Sequence, residues 1–380
     1  MLTIDLTGAD VLHPGGMSKA PLSIAEGRVA DAPAGRAVDL SGYRVLPGII
    51  DVHGDGFERH MAPRRGAMKE TAEGLVAVEA ELAANGITTA VLAQFVSWEG
   101  GLRGLDFADK VFTALRDTGT ELVTDLRPQL RFETSLLELY DTLPDRVAQW
   151  GIEYVVFNDH LPHDRLAQGR KPPRLTGQAL KAGRNPDDHF AMLLDLHTKA
   201  QDAEPALGPL CDALREKGVR LGSHDDATAE TRAKWQARGV QVAEFPETQV
   251  AAEAAQAAGS GVVLGAPNLV RGGSHKGNVS ALDLVMMGLC DALASDYHYP
   301  SPRRAALMLE RSGVLDLAGA WALVSSGPAA VLGLSDRGTL APGMRADLVI
   351  LDARDRVAAT LSGGRISFMS GDVAQRFVAA

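Results

Sequence analysis

The feature that most constrains the fold is an alternation of short apolar runs with helical patterns through the middle of the chain. Repeated β-α units of this kind close most economically into a barrel of parallel strands. The sequence therefore predicts an α/β protein with a TIM-like (β/α)8 barrel. A barrel of this kind has eight strands. The candidate strands are residues 48–53, 87–92, 130–133, 154–158, 219–224, 240–245, 262–265 and 292–296.

Glycine marks the ends of the helical patterns between these runs. One pattern covers residues 71–84 and is followed by Asn85-Gly86, and another covers 186–217 and is followed by Gly218. Gly and Asn-Gly are typical C-terminal helix stops. Residues 162–186, rich in Arg, Lys, Pro and Gly, interrupt the rhythm. They predict an excursion over the barrel mouth, and whether it acts as a lid is left open.

Both ends of the chain have a different pattern, with short alternating β segments separated by turns. Pro14-Gly15-Gly16 and Pro33-Ala34-Gly35 are the turn signals near the start. The same style returns in residues 338–370. The two ends therefore predict one small composite β-sandwich. The expected domains are residues 1–47 plus 337–380 for the sandwich and 48–336 for the barrel.

Length and charge narrow the function classes. The 380 residues exceed a barrel of ~250 residues by the size of one small unit. A formal net charge of −10 argues against a nucleic-acid partner, because such partners select basic surfaces. No apolar run reaches the ~18 residues of a membrane span. The first residues lack the pattern of an export signal, so we expect a cytoplasmic protein; a homo-oligomer is left open.

The two cysteines, Cys211 and Cys290, lie in apolar stretches and share no close spacing. This pattern is typical of buried thiols in a reducing compartment. It gives no support to a disulfide framework or to a thiolate zinc site.

Metal-binding side chains follow the predicted strands. In a (β/α)8 barrel, catalytic side chains come from the C-terminal ends of the strands. Imidazole with carboxylate is a natural donor set for zinc, manganese or iron. In strand geometry His53 and Asp55 share one face, and Glu133 is the candidate bridge between two ions. We therefore predict a two-metal centre built from the side chains that close five of these strands, which are His53, Asp55, Glu133, Asp159, His160, His224, Asp225, Asp226 and Asp296.

Each of these residues alone is more often a capped or hydrogen-bonded structural group than a ligand. Their common rim position favours the metal interpretation, because clustered carboxylates without compensation are electrostatically costly. Asp225 and Asp226, directly after His224, are expected to orient that imidazole by hydrogen bonding. The alternative is that they cap the following helix.

A glycine-rich polar segment, residues 265–278 (GAPNLVRGGSHKGN), follows the seventh predicted strand. Glycines allow close backbone approach to a ligand, and Arg271, His275 and Lys276 supply donors suited to phosphate oxygens. Arg64 is a further candidate cation at the same mouth. Glycine-rich segments are common, and it is the position of this one on the catalytic rim that favours a phosphate-binding role.

Two framework segments carry a resemblance to a known family. Residues 46–53 read LPGIIDVH and residues 343–349 read GMRADLV, and these resemble the amidohydrolase superfamily over nearly the whole chain. Residues 223–228, 243–246, 265–278 and 295–297 resemble one group in it more sharply. That group comprises the diphosphatases that act on α-D-ribose 1-methylphosphonate 5-triphosphate in the carbon–phosphorus lyase pathway.

The resemblance implies a phosphoanhydride hydrolase that releases pyrophosphate and leaves the 5-phosphate. It implies that Asp296 handles the proton of a metal-activated water. Asp55 departs from the usual His-x-His of the superfamily and makes the site richer in oxygen, so manganese and iron stay open beside zinc. By position, the resemblance implies that the metal and catalytic set is His53, Asp55, Glu133, His160, His224 and Asp296. It also implies phosphate contacts by Asn268, Arg271 and His275, and the full predicted substrate-binding set adds Gly272, Gly273, Ser274 and Arg64.

Two other functions are compatible with the same barrel. A cyclic-amide hydrolase or deaminase would use the same fold and metals, since fold alone does not choose a reaction. The phosphate-directed segment favours the diphosphatase. A non-catalytic scaffold is expected to lack several ligands, whereas every proposed position is filled here.

Overall fold

The computed structural model describes residues 1–62, 70–273 and 278–380. These residues divide into two compact units. Unit 1 comprises Met1–Leu92, Thr118–Arg127 and Gly261–Ala380, and unit 2 comprises Ala93–Asp117 and Pro128–Ser260. The division runs through the predicted barrel, and the domain boundaries expected from the sequence stay a prediction.

The first part of unit 1 is built from short strands separated by the expected turns. They are β1 (Ile4–Thr7), β2 (Asp10–His13), β3 (Gly16–Ser18), β4 (Leu22–Ala25), β5 (Arg28–Ala30), β6 (Ala37–Asp39) and β7 (Arg44–Pro47).

Eight strands of the described residues form one sheet, in the order β15-β14-β13-β12-β11-β10-β9-β8. The paired strands for which a register is resolved run parallel, and a parallel bridge between Gly54 and Asp296 joins the two outermost strands. The predicted (β/α)8 barrel is thereby confirmed. The strands are β8 (Ile49–Gly54), β9 (Ile87–Val96), β10 (Asp125–Glu133), β11 (Tyr154–Asn158), β12 (Arg220–His224), β13 (Val242–Glu244), β14 (Gly261–Gly265) and β15 (Ala292–Ala294).

The last strands are β16 (Leu348–Leu351), β17 (Val357–Ser362) and β18 (Arg365–Met369), and they return to the strands of the first part. One sheet has the order β5-β4-β1-β6 and the other β18-β17-β16-β7-β2-β3. In the second sheet β16 pairs antiparallel with β7, with Leu348 opposite Pro47. Buried side chains such as Ile4, Leu6 and Ile350 form the shared core. The predicted sheets from both ends of the chain are confirmed.

Helices follow the barrel strands. Their bounds are α1 (Glu58–Met61), α2 (Thr71–Ala84), α3 (Leu105–Thr118), α4 (Leu143–Trp150), α5 (His163–Ala167), α6 (Leu175–Lys181), α7 (Pro186–Glu216), α8 (Ala229–Ala237), α9 (Gln249–Ala257), α10 (Ala266–Arg271), α11 (Ala281–Met286), α12 (Ser301–Arg311), α13 (Leu317–Ala322), α14 (Ser326–Leu332) and α15 (Asp372–Ala379).

The two helices predicted in detail end where glycine was expected to stop them. Gly86, after α2, has φ +85°, and a Cβ there would lie 2.8 Å from Val349 Cγ2. Glycine is therefore required for both the turn and the packing. At the start of α7 the Asn185 side chain accepts a hydrogen bond from the Asp187 amide at 2.8 Å, and Pro186 occupies the first turn.

The excursion predicted at residues 162–186 contains α5 and α6. Its role as a lid stays a prediction. Cys211 is buried and Cys290 partly buried, and both are free thiols as expected. In the described part of the chain we find no helix with the length and apolarity needed to cross a membrane.

Candidate functional site

In unit 1, main-chain contacts bring three predicted residues together. His53 lies in β8 and is fully buried, and Asp55 follows the strand. The Asp296 amide donates to the His53 carbonyl at 3.0 Å, and the Asp55 amide donates to the Asp296 carbonyl at 2.9 Å. These bonds extend the bridge at Gly54. Closure of the sheet therefore places His53, Asp55 and Asp296 side by side.

A buried carboxylate, that of Asp51, holds the residue that precedes Asp296. Asp51 accepts hydrogen bonds from the Ser295 amide at 2.8 Å and from the Ser295 hydroxyl at 2.5 Å. Burial raises the pKa of Asp51 to about 6, against the lowering effect of those two bonds. A Cβ on Gly54 would lie 2.8 Å from Asp51 Oδ2 and 3.1 Å from Tyr299 Cε1. A side chain between His53 and Asp55 would therefore crowd this packing.

Non-glycine residues with positive φ follow three of the barrel strands. Asp225 has φ +61°, Phe245 +54° and Asp296 +54°. This conformation costs ~1–3 kcal/mol per residue and clusters at functional sites. Asp296 has consequently left strand geometry, and β15 ends two residues before it, earlier than the sequence predicted.

In unit 2, Glu133 and His160 lie in direct contact. The fully buried Glu133 accepts from the His160 amide at 2.5 Å through Oε1, and its Oε2 lies 3.4 Å from His160 Nδ1. The Ser97 hydroxyl donates to the same Oε2 at 3.4 Å. The end of β10 therefore presents an acidic group beside the imidazole that follows β11.

His224, at the end of β12, joins this group. Its Nδ1 lies 3.2 Å from Asp225 Oδ1. The expected role of Asp225 in orienting the imidazole stays a prediction. One ligand atom from each of His160, His224 and Asp225 lies within 4.8 Å of the others. Two imidazole nitrogens and a carboxylate oxygen are a donor set that fits a divalent transition metal. Asp225 is thus among the possible ligands of unit 2.

Arg131 lies among these side chains and was not predicted. Its Nε donates to Asn158 Oδ1 at 2.5 Å, and one terminal nitrogen lies 3.2 Å from His160 Nε2 and 3.4 Å from His224 Nδ1. A guanidinium can only donate hydrogen bonds, so Arg131 brings a positive charge and a donor to the two imidazoles.

The sequence carries a signal for Arg131 and for a second residue that was not predicted, Glu244. Arg131 precedes Glu133 by two residues on one strand, so both side chains point to the same face. Glu244 closes β13, as the other candidates close their strands. It is fully buried and accepts from Tyr154 Oη at 2.7 Å and from Gln129 Nε2 at 3.0 Å.

Asp226 lies in a separate buried ion pair. Its Oδ2 accepts from the Ser223 hydroxyl at 2.5 Å and pairs with Arg232 at 3.2 Å, and both charged side chains are almost fully buried. The alternative that an aspartate caps α8 is wrong, because Thr228 is the cap residue and accepts from the Thr231 amide at 3.0 Å. The Asp226 contacts stabilise the strand-to-helix connection.

The predicted phosphate-binding loop begins as a helix. The first part of residues 265–278 forms α10, with proline in its first turn and Gly272 at φ +80° just after its end. Proline at a helix start and a left-handed glycine at its end are the usual signals for a short helix. The glycine-rich composition of the segment predicted a loop, so these helix signals were missed.

Within this segment, Asn268 and Arg271 lie together. Arg271 donates to Asn268 Oδ1 at 2.8 Å, to Tyr297 Oη at 2.9 Å and to the Gly273 carbonyl at 3.3 Å. Arg271 is exposed and Asn268 partly so, and the guanidinium is therefore held in place and still accessible to an anion. Tyr297 was not predicted. Arg64, Ser274 and His275 lie outside the described residues.

Comparison with known proteins gives two kinds of match. A family model described as "Amidohydrolase family" matches residues 80–367. The chain is also 33% identical, over 328 residues, to the alpha-D-ribose 1-methylphosphonate 5-triphosphate diphosphatase of Escherichia coli strain K12. The match covers 84% of this chain and 86% of that relative.

Solved structures resemble the fold at lower identity. N-acetylglucosamine-6-phosphate deacetylase from Pasteurella multocida has a TM-score of 0.62 at 11% identity, covering 96% of this chain and 99% of that one. Beta-aspartyl dipeptidase from Fervidobacterium islandicum has a TM-score of 0.61 at 14% identity, covering 97% and 99%. These likenesses show the fold alone.

Proposed function

The chain belongs to the amidohydrolase family and is a hydrolase, and we propose that it is a metal-dependent diphosphatase of the cytoplasm. Its proposed substrate is α-D-ribose 1-methylphosphonate 5-triphosphate, from which it releases pyrophosphate to leave the 5-phosphate in phosphonate degradation. The 33% identity to a diphosphatase of that specificity, over most of both chains, is the observation that carries this proposal.

The proposed centre holds two divalent ions, as the sequence predicts. Zinc suits the imidazoles, while Asp55 adds the oxygen character that also suits manganese or iron. When bound, such ions lower the pKa of a coordinated water and stabilise charge on phosphoryl oxygens. The proposed ligands are His53, Asp55, Glu133, His160, His224 and Asp296.

Asp296 is the proposed proton acceptor. Its amide and carbonyl are both hydrogen-bonded to the end of β8, and Ser295 beside it is fixed by Asp51. The carboxylate is therefore carried by a hydrogen-bonded backbone, from which it can take the proton of the water that attacks phosphorus. Such preorganisation of a general base supports rate gains of ~10²–10⁴.

Cationic and amide donors are proposed to bind the polyphosphate. Arg271, fixed by Asn268 and Tyr297, would hold phosphate oxygens with the backbone amides of Gly272 and Gly273. In unit 2, Arg131, anchored by Asn158, is a separate candidate donor to phosphate oxygens. Phosphoryl transfer depends mostly on positioning and charge stabilisation, and these groups supply both.

The test measures product release by protein purified without chelator. The proposal expects pyrophosphate with the ribose 5-phosphate, loss of turnover after chelation, and recovery with zinc, manganese or iron. Turnover of a cyclic amide or an aminopurine in the same panel, without pyrophosphate release, would overturn it.

The phosphorus under attack is settled by hydrolysis in ¹⁸O-labelled water. Label in the ribose 5-phosphate means attack at the α-phosphorus, and label in pyrophosphate means attack at the β-phosphorus. Either result is compatible with Asp296 as the base, since the base acts on the water.

A further inference from the structure

A cluster of two histidines and an aspartate lies beside the excursion, within unit 2. His163 begins α5, His197 lies in α7, and Asp159 follows β11. The two Nδ1 atoms are 2.8 Å apart, and His163 Nε2 lies 2.9 Å from Asp159 Oδ2. The ring centres are 5.0 Å apart and the rings are inclined by 49°. No ligand of the proposed catalytic centre belongs to this cluster.

The short distance between the two Nδ1 atoms defines where the protons lie. Asp159 accepts from Nε2 of His163, so in the neutral imidazole Nδ1 carries the lone pair. His197 must then donate from its own Nδ1. The two rings thus share one proton, and a carboxylate orients one of them from behind, which is the arrangement found behind metal-bound histidines.

We propose that His163 and His197 form a binding site for a divalent transition metal of the zinc class, in which the ion replaces the shared proton. Ligand nitrogens ~2.0–2.1 Å from a tetrahedral ion lie about 3.3 Å apart, so the rings need to separate by about 0.5 Å. His163 is 36% exposed, which leaves room for water to complete the coordination.

The surroundings favour a cation at this position. The hydrogen bond that His163 donates to Asp159 raises the pKa of His163, against desolvation, and the charges of Asp159, Glu133 and Asp164 add to the rise. A negative potential that attracts a proton attracts a divalent ion as well. The bound ion would cross-link α5, in the excursion, to the long helix α7.

The experiment is a zinc titration of the full-length enzyme against a competing indicator, after its catalytic metal has been loaded and excess metal removed. H163Q and H197Q each remove one ligand, and D159N removes the orienting carboxylate. His13, a partly exposed histidine that contacts the Ala20 carbonyl, gives the matched control H13Q.

Wild type and H13Q are expected to bind one more zinc than H163Q and H197Q, and D159N is expected to bind it ~10–100-fold more weakly. Equal uptake by wild type, H163Q and H197Q would overturn the proposal. The amount of catalytic metal and the pyrophosphate release before titration report separately on the catalytic centre.

A second measurement on wild type covers the case in which the variants fail to fold. One equivalent of Cu²⁺ added to the zinc-loaded enzyme is expected to give an electron paramagnetic resonance signal with couplings to two imidazole nitrogens. Coupling to one nitrogen or to none would contradict the site.

Discussion

The two units hold their candidate catalytic residues in different ways. In unit 1, main-chain hydrogen bonds connect Asp55 and Asp296 to the end of β8. In unit 2, a side chain makes the connection, because Arg131 contacts both His160 and His224. The position of the first cluster therefore depends on closure of the sheet, and that of the second depends on one guanidinium.

The two clusters should therefore respond differently to side-chain and backbone substitutions. A side-chain change in unit 1 should alter chemistry and leave the geometry intact, while an added atom in its backbone should disturb the fold. In unit 2 the removal of one charged side chain should disturb the whole cluster.

Removal of the proposed base in unit 1 should reduce activity more than any other change described here. Asp296→Asn should lower kcat by ~10²–10⁴-fold, because asparagine keeps an oxygen for a metal but cannot accept the proton. Steady-state pyrophosphate release and metal analysis measure the two properties. D283N, an exposed aspartate on α11, is the control. A D296N enzyme with full metal and unchanged turnover would refute the assigned role.

Removal of the guanidinium in unit 2 should have the next largest effect. R131M should reduce kcat/KM by ~10²–10³-fold, the cost of losing one preorganised donor. R131K should recover part of it, since lysine restores the charge but lacks the second donor that Nε offers to Asn158. R174M, at an exposed arginine before α6, is the control. Equal kcat/KM in R131M and wild type would mean that unit 2 does not depend on Arg131.

A backbone change tests the rigidity of unit 1. Gly54→Ala should destabilise the protein by about 1–3 kcal/mol, because the added Cβ contacts Asp51 and Tyr299. Thermal or denaturant unfolding measures the loss. Gly15→Ala is the control, since a Cβ there meets nothing within 4 Å. Equal unfolding midpoints for the two variants would show that the cluster tolerates movement.

The smallest expected effect is a pH dependence of the sandwich in unit 1. The Ala34 amide, the Ser23 hydroxyl and the Gly35 amide hold the pKa of Asp5 below its usual 3.8. The stabilisation is full above pH 3.8 and is lost as pH falls through the lowered pKa. The unfolding midpoint of wild type should thus fall more steeply below pH 4 than that of D5N. D31N, at an exposed aspartate, should follow wild type, and parallel curves for all three would contradict this.

Sequence patterns were sufficient to predict the parts of the fold that depend on local interactions. The ends of α2 and α7 follow from Gly86 and Gly218, whose left-handed conformation stops a helix. The sheets built from both ends follow from turn residues and alternation. Length and composition then left the barrel as the economical arrangement of the central strands.

The details of the site depend on contacts that no local pattern encodes. The positive φ of Asp296 comes from its bridge to β8, hundreds of residues earlier in the chain, so the sequence predicted a longer strand there. Arg131 was visible only through its spacing from Glu133, and its bonds to two histidines need the tertiary structure. The metal ligands and the base stay predictions that the variants above will test.

The sandwich has a consequence for how the protein is made. β7 is complete at Pro47, but its antiparallel partner begins at Leu348. At ~5–20 residues per second, the roughly 300 intervening residues take the ribosome about 15–60 s to add. During that time the edge of β7 that β16 will occupy stays unpaired, and exposed strand edges of this kind are prone to aggregation.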